Sequence, residues 1–245
     1  MALNRKFRCE VKHIIPHGER VYTVILQPEC LVPRFRPGQF LHLALDAYEP
    51  AGFWPESRVF SIASAPSERD RLAITYSVRG RFTARMEANL VEGLQVWVKM
   101  PYGHFTVEGG IDVVLVAGGT GITAFTAFLE TLEPGAPYAV TLAYGVRTRE
   151  LLIYRDLVQR CVERVPSLAA FYFVEHDADG RPDPQVDSMH GISGRVSVAG
   201  LWPNLRRPME AAYYLSGPPA MLQTVSLDLR ARGVGVEAIH IDAWD

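Results

Sequence analysis

The period of the hydrophobic pattern changes once along this chain, at Gly109-Gly110, and that change limits what the chain can fold into. Before it, short apolar and β-branched runs at 7–15, 21–27, 40–45, 58–62, 72–78 and 94–100 stand between Pro and Gly signals. Such runs read as an antiparallel β-barrel, interrupted by one helix at 83–90. After it, apolar strands at 113–117, 138–143, 169–174, 211–215 and 236–241 alternate with helical patterns at 122–132, 150–162 and 218–231. That alternation implies a doubly wound parallel sheet with helices on both faces. The expected organisation is therefore a β domain at 1–109 followed by an α/β domain at 110–245, with a long polar loop at 175–195 where Asp, Gly and Pro accumulate.

Charge follows the same division. Residues 1–110 hold 14 Lys+Arg against 11 Asp+Glu and residues 111–245 hold 11 against 16, balances of +3 and −5 within a net charge of −2. No overall basic field recruits nucleic acid or an anionic membrane, so the expected partner is small and nucleic acid is excluded. Cys9, Cys30 and Cys161 lack ligand-like spacing, which argues against a zinc site, an iron–sulfur cluster or a disulfide framework and fits a reducing cytoplasm. The charged opening residues do not make a secretion signal. The uncharged stretch 113–128 is broken by Gly118-Gly119-Thr120-Gly121, so it reads as strand, loop and helix, and no integral membrane segment is expected.

That glycine run directly follows a buried-strand pattern and opens a helix whose Ile122, Phe125, Leu129 and Leu132 fall near one face. Glycines there permit a tight turn and close approach of a phosphate, which free N–H groups and the helix dipole attract. Such a turn also simply joins a strand to a helix. A second loop, Ser216-Gly217-Pro218-Pro219-Ala220-Met221, follows the strand pattern at Tyr213-Tyr214-Leu215. Ser216 suits an N-cap and proline the first helical turn, so this too can be read as a well-made helix start. Both loops lie at carboxyl ends of strands, where open α/β sheets bind ligands, so together they could hold the two ends of a dinucleotide.

In the first half, Arg58-Val59-Phe60-Ser61 puts a fixed cation, an aromatic face and a hydroxyl on one strand; it also reads as an ordinary strand with one inward Phe. Gly80-Arg81-Phe82-Thr83 precedes the helix of this half, with Thr83 as the expected N-cap, and offers a second phosphate-binding terminus. Arg58, Arg69, Arg71, Arg79, Arg81 and Arg85 crowd this region, and one or two of them could neutralise a diphosphate.

Six motifs stand in order: Arg58-x-Phe60-Ser61, Gly80-x-Phe82-Thr83, Pro101-Tyr102-Gly103-x-Phe105, Gly118-Gly119-Thr120-Gly121-Ile122-Thr123, Tyr144-Gly145-x-Arg147 and Ser216-Gly217-Pro218-Pro219-x-Met221. Over about residues 5–245 the chain resembles the ferredoxin–NADP reductase superfamily, with variants similar to the reductase modules of ferric-chelate reductases and phagocyte-type oxidases. The resemblance implies a flavin-binding barrel followed by a nicotinamide-nucleotide domain. It implies Arg58 on the flavin phosphate, Phe60 against the isoalloxazine, Ser61 near N5, Tyr76 and Val78 lining the ring, and Gly80, Phe82 and Thr83 holding the diphosphate. It implies Gly118, Gly119, Thr120, Gly121 and Thr123 on the pyrophosphate of NAD(P)H, Arg147 near its adenosine half, and Ser216, Gly217, Pro218 and Met221 beside the nicotinamide. Ser61, Ser216 and Trp244 are the residues expected at the chemistry, with Trp244 either over the flavin or a plain anchor.

The departures are specific. Phe60 replaces the family's tyrosine and keeps stacking without the phenolic hydrogen bond; Ser216 replaces its cysteine; Ala124 replaces its loop proline. Where NADP-users of the family offer Ser and Arg, this chain offers Glu175-His176-Asp177, and a carboxylate repels a 2′-phosphate, so NADH is expected over NADPH. Arg147 and Arg149 could reverse that preference. The expected cofactor is FAD, with FMN as the alternative. The implied activity is hydride transfer from nicotinamide to flavin N5, then electron release to an external acceptor: a protein, a metal chelate or free flavin. The competing expectation is a non-catalytic or regulatory flavin- and nucleotide-binding subunit of a larger complex. Other constellations are weaker: His13 and His17 flank Pro16 at a strand end, His190-Gly191-Ile192-Ser193-Gly194 falls short of a nucleophile elbow, and His42 and His104 read as structural or solvent-facing.

Overall fold

The computed structural model describes residues 4–176 and 191–242. The chain divides into two compact units, one running to Thr106 and including Thr126–Phe128, the other comprising Val107–Phe125 and the residues from Leu129 onward.

The first unit is an antiparallel sheet of β1 (Arg5–Pro16), β2 (Val21–Pro28), β3 (Phe40–Ala44), β4 (Ser57–Ser61), β5 (Leu72–Ser77) and β6 (Gln95–Tyr102), with α1 (Arg81–Asn89) before β6. Its order is β4-β3-β6-β1-β2-β5. Period-two alternation builds it: Phe7, Cys9 and Val11 of β1 point into the core while Lys6, Arg8 and Glu10 face out. The two edges meet just past β4, where Ala63 N–H donates to the Ala73 carbonyl at 2.9 Å and Ala73 N–H donates to Ser64 Oγ at 3.2 Å, so the sheet curls towards a barrel. The core holds Leu41, Leu43, Phe60, Ile74, Phe82, Met86 and Val98.

The second unit is a parallel sheet of β7 (Val113–Gly118), β8 (Val140–Val146), β9 (Leu168–Val174), β10 (Gly191–Ser193), β11 (Ala212–Ser216) and β12 (Ile239–Asp242), in the order β10-β9-β8-β7-β11-β12. Its helices are α2 (Thr123–Thr131), α3 (Arg155–Arg164), the short α4 (Val198–Leu201) and α5 (Pro219–Ala231). Every residue of β7 is buried, as an apolar run covered on both faces requires. In α5, Leu222, Val225 and Leu229 recur at helical spacing and form the buried stripe. The order reverses between β7 and β11, which makes that junction the topological switch point.

Several boundaries differ from the sequence reading. The helical pattern at 150–162 splits into a 3₁₀ turn at Arg149–Leu151 and α3 from Arg155, because Tyr154 between them is left-handed with φ 60°. The strand read at 138–143 runs from Val140 to Val146, and that at 236–241 is a 3₁₀ turn at Val236–Ala238 followed by β12. The expected loop at 175–195 contains β10, whose backbone extends the sheet alongside β9 despite polar composition. The helix read at 83–90 begins earlier, at Arg81. Gly191, Ile192 and Ser193, read against a nucleophile elbow, are that edge strand.

Candidate functional site

In the first unit, β4 pairs with β3 so that Arg58 stands opposite Leu43 and Phe60 opposite Leu41. Arg58 is exposed at the rim of the core; its guanidinium donates to the Ser57 carbonyl at 3.0 Å and lies 5.5 Å from the Phe82 ring centre. Phe60 is 8% exposed and meets Tyr76 edge-on with ring centres 6.2 Å apart. Tyr76 in turn stacks on Tyr22 at 5.5 Å, and burial pushes its phenol up to about 12, so it stays protonated. Tyr22 hydroxyl donates to Glu87, which Arg20 also grips. Ser61 is buried at 8% exposure, and Val78 packs partly against the core.

The helix terminus corrects one assignment. Gly80, not Thr83, is the N-cap of α1; Thr83 lies at the third helical position, where its hydroxyl accepts from Arg79 N–H at 3.0 Å and Gly80 N–H at 3.1 Å. A glycine has no side chain to cap with, so the threonine folds back instead. The arginine crowd also sorts itself. Arg81 pairs with Glu56, Arg85 with Asp46 and Arg71 with Glu68, while Arg69 donates to the Val32 carbonyl. Among the described residues, no carboxylate pairs with Arg58 or Arg79. Two cations without anions beside a helix N-terminus suit a diphosphate.

In the second unit, register brings the carboxyl ends of the strands level: Gly118 lies beside Gly145, and Ser216 beside both Ala117 and Asp242. The two glycine loops touch. A Cβ on Gly121 would sit 2.2 Å from the Ser216 carbonyl oxygen, and one on Gly118 would sit 2.7 Å from Met221 Sδ and 2.8 Å from Pro218 Cδ. Gly217, at φ 154°, would place its Cβ 3.0 Å from the Gly118 backbone. Gly119 is different: it adopts φ 54°, and nothing lies within 4 Å of its missing Cβ. The turn therefore packs against its neighbour on one side and stays open on the other, as a cradle for a diphosphate must. Thr123 Oγ1 donates to the Thr120 carbonyl at 2.8 Å and locks the turn onto α2.

Ser216 is not an N-cap but the last residue of β11, since Pro218 takes the cap of α5. Its hydroxyl, 2% exposed, donates to Asp242 Oδ2 at 2.9 Å, and Asp242 is itself 5% exposed. Further along, Glu175 N–H donates to the Val146 carbonyl and His176 N–H to the Arg147 carbonyl, which sets Glu175 and Arg147 at the ends of adjacent strands. The Glu175 carboxylate pairs with Arg195 at 3.0 Å. Trp244 lies outside the described residues. Asp242 and Arg195 do not stand out in the sequence; the parallel register of β11 and β12 is the signal that pairs Ser216 with Asp242.

Residues 115–226 match the family model of the oxidoreductase NAD-binding domain. Over that span, which holds both glycine loops, the chain is similar to that domain family. A relative is the reductase component of propane 2-monooxygenase from Rhodococcus jostii (strain RHA1), 29% identical over 97% of this chain and 63% of that protein. The electron transfer component of toluate 1,2-dioxygenase from Pseudomonas putida is 27% identical over 82% of this chain and 56% of its own. The chain thus spans less than two thirds of these curated relatives' length. By fold it is similar to the FAD/NAD-binding domain of nitric oxide dioxygenase from Vibrio cholerae O1 biovar El Tor, with TM-score 0.79, 21% identity and coverage of 97% and 98% of the two chains. A ferredoxin NADP+ reductase from Neisseria gonorrhoeae, solved with FAD and NADP, gives TM-score 0.76 at 22% identity, again over 97% and 98%. Among the described residues, no helix is long and apolar enough to cross a membrane.

Proposed function

We propose that this chain is a flavin-dependent NAD(P)H reductase that moves reducing equivalents from a nicotinamide nucleotide, by way of FAD, to a separate protein acceptor in the cytoplasm. The observation that carries the reading is the closure of two glycine loops at the switch point, with the open side of Gly119 left for a diphosphate. Relatives named as reductase and electron transfer components of oxygenase systems support an oxygenase component as the acceptor.

When bound, the flavin supplies the chemistry, accepting a hydride and releasing electrons singly. The chain supplies charge and alignment. Arg58 and Arg79, with N–H groups at the start of α1, would hold the diphosphate of FAD, and the Phe60–Tyr76 pair would offer an aromatic wall whose phenol burial keeps protonated. The Gly118–Thr123 turn presents backbone N–H groups to the nucleotide's pyrophosphate. Ser216, with its proton committed to Asp242, turns lone pairs rather than a donor to whatever binds beside it. Glu175 sets a carboxylate at the adenosine end and favours NADH, although its ion pair with Arg195 softens the repulsion a 2′-phosphate would meet.

One cuvette tests the reading: the absorbance spectrum of the purified protein before and after anaerobic NADH, followed by NADPH. A yellow protein bleached faster by NADH is expected. A yellow protein that neither nucleotide bleaches would favour a non-catalytic subunit, and a protein that neither carries nor takes up flavin would end the proposal.

A further inference from the structure

We propose that the outer face of β1, β6 and β3 is a docking surface for an acidic partner protein, built around Lys6 and Lys99 and the aromatic cluster beneath them. In the ladder Lys6 stands directly opposite Lys99, and Lys99 directly opposite His42. Like charges across a strand pair repel, so such an arrangement normally carries carboxylates to relieve it. Three other cations, on β1 and the turn that follows it, have them: Arg8 pairs with Glu29, Lys12 with Glu10, and Arg20 with Glu87. Among the described residues, no carboxylate pairs with Lys6 or Lys99.

Aromatic rings hold the two ammonium groups instead. Lys6 Nζ donates to the Tyr48 hydroxyl at 2.7 Å and lies 4.3 Å from the centre of that ring and 5.9 Å from that of Trp54. Lys99 Nζ lies 5.9 Å from the Trp54 ring and 5.1 Å from that of Tyr102. Tyr48 also meets Trp97 edge-on at 5.3 Å, and Phe53, beside Trp54 in sequence, is 100% exposed. A ring face orients a cation without neutralising it, so the positive charge remains available to an incoming anion. Partly exposed Trp and Tyr beside unneutralised cations have the composition of an interface centre, where aromatic residues concentrate and carboxylates are scarce.

The chemistry selects the occupant. A nucleic acid calls for a stripe of many cations, and an anionic membrane for a cluster of about four to eight. Two lysines on a cluster of inclined aromatic rings, in a chain of net charge −2, suit an acidic protein face that brings apolar groups with its carboxylates. This inference does not rest on the proposed flavin chemistry.

The test is a calorimetric titration of the full chain with a synthetic peptide of alternating Asp and Glu around two central Phe residues, at about 0.02 M and about 0.3 M salt. Binding at low salt that weakens at high salt is expected. Lys6→Gln with Lys99→Gln should raise the dissociation constant about tenfold or more. The corresponding Arg pair should stay within about threefold of wild type, and Lys12→Gln, already paired with Glu10, within about twofold. Trp54→Leu carries the same expectation as the Gln pair and stands in for it should that variant lose its near-UV circular dichroism. Unchanged binding by the Gln pair or by Trp54→Leu overturns the proposal. So does tighter binding of duplex DNA or phosphatidylserine vesicles through the same lysines. The titration needs neither flavin nor nicotinamide, so its failure leaves the reductase reading standing.

Discussion

Two alanine substitutions in one turn separate what the switch point does for the fold from what it does for a ligand. In Gly121→Ala the new methyl carbon meets the Ser216 carbonyl oxygen at 2.2 Å, where ordinary contact begins at 3.4 Å, so one backbone must retreat by more than an ångström. Ser216 cannot retreat freely, because β11 is laddered to β7 on one side and β12 on the other. The cost falls at the upper end of overpacking, about 3 kcal/mol, and should lower the melting temperature of the second unit by about 6–12 °C. In Gly119→Ala the methyl meets nothing within 4 Å, and the penalty is only that of a left-handed alanine at φ 54°, about 1–2 kcal/mol. That methyl, however, occupies the space assigned to the pyrophosphate, so NADH affinity should fall about tenfold or more, a larger loss than the modest destabilisation accounts for. Scanning calorimetry reads the first effect and titration with NADH the second. Gly121→Ala melting within about 2 °C of wild type would refute the backbone contact. Gly119→Ala binding NADH as wild type does would remove the diphosphate from that side of the turn.

Arg58→Ala should purify folded but with much less yellow cofactor, a loss of about tenfold in flavin affinity for one charge-assisted contact; undiminished flavin content removes that role. Asp112, 6% exposed, accepts from Ala139 N–H and from two guanidinium nitrogens of Arg207, whose hydrogen bonds and charge hold its carboxyl below the usual range. Asp112→Asn should therefore cost about 1–3 kcal/mol at neutral pH. That gap should be constant above about pH 5 and shrink as pH falls below about 4 towards the lowered folded value, where wild type loses the same ion pair; a gap independent of pH would contradict the assignment. Glu175→Ser should narrow the ratio of kcat/KM between NADH and NADPH, and an unchanged ratio would exclude Glu175 from donor choice. Ser216→Ala, which strips the buried Asp242 carboxylate of a donor, should destabilise the second unit by about 1–3 kcal/mol; an unshifted melting temperature would show that bond to be dispensable.

What is legible in the sequence is what one residue's neighbours along the chain decide. The run Val113-Val114-Leu115-Val116-Ala117 can be buried on both faces only as a central parallel strand, and β7 is that strand. Gly118 and Gly121 are legible as a turn because few other residues leave room for close backbone approach. Capping is harder to read. Thr83 has the chemistry of an N-cap and reaches the same backbone groups, but from three residues inside the helix, so its function is legible and its position is not. Ser216 misleads because a Ser before Gly-Pro-Pro satisfies the local rules for a helix start, while its actual partner, Asp242, lies 26 residues away on a parallel neighbour.

Charge shows the same limit most plainly. Six arginines between positions 58 and 85 look alike in sequence, since each is a cation on a long stem. Only the fold shows that Glu56, Asp46 and Glu68 consume three of them, and the Val32 carbonyl a fourth. The remainder is what a ligand can use, and a remainder is a property of the whole pairing pattern rather than of any residue. Lys6 and Lys99 follow by the same subtraction: 93 positions apart in the sequence, they become a site only when β1 pairs with β6 and no carboxylate comes with either. Functional cations in such a chain are therefore identified by what the rest of the fold has left unpaired, and substitutions that free or consume a neighbouring carboxylate, such as Glu56→Gln beside Arg81, should alter ligand affinity without touching the ligand.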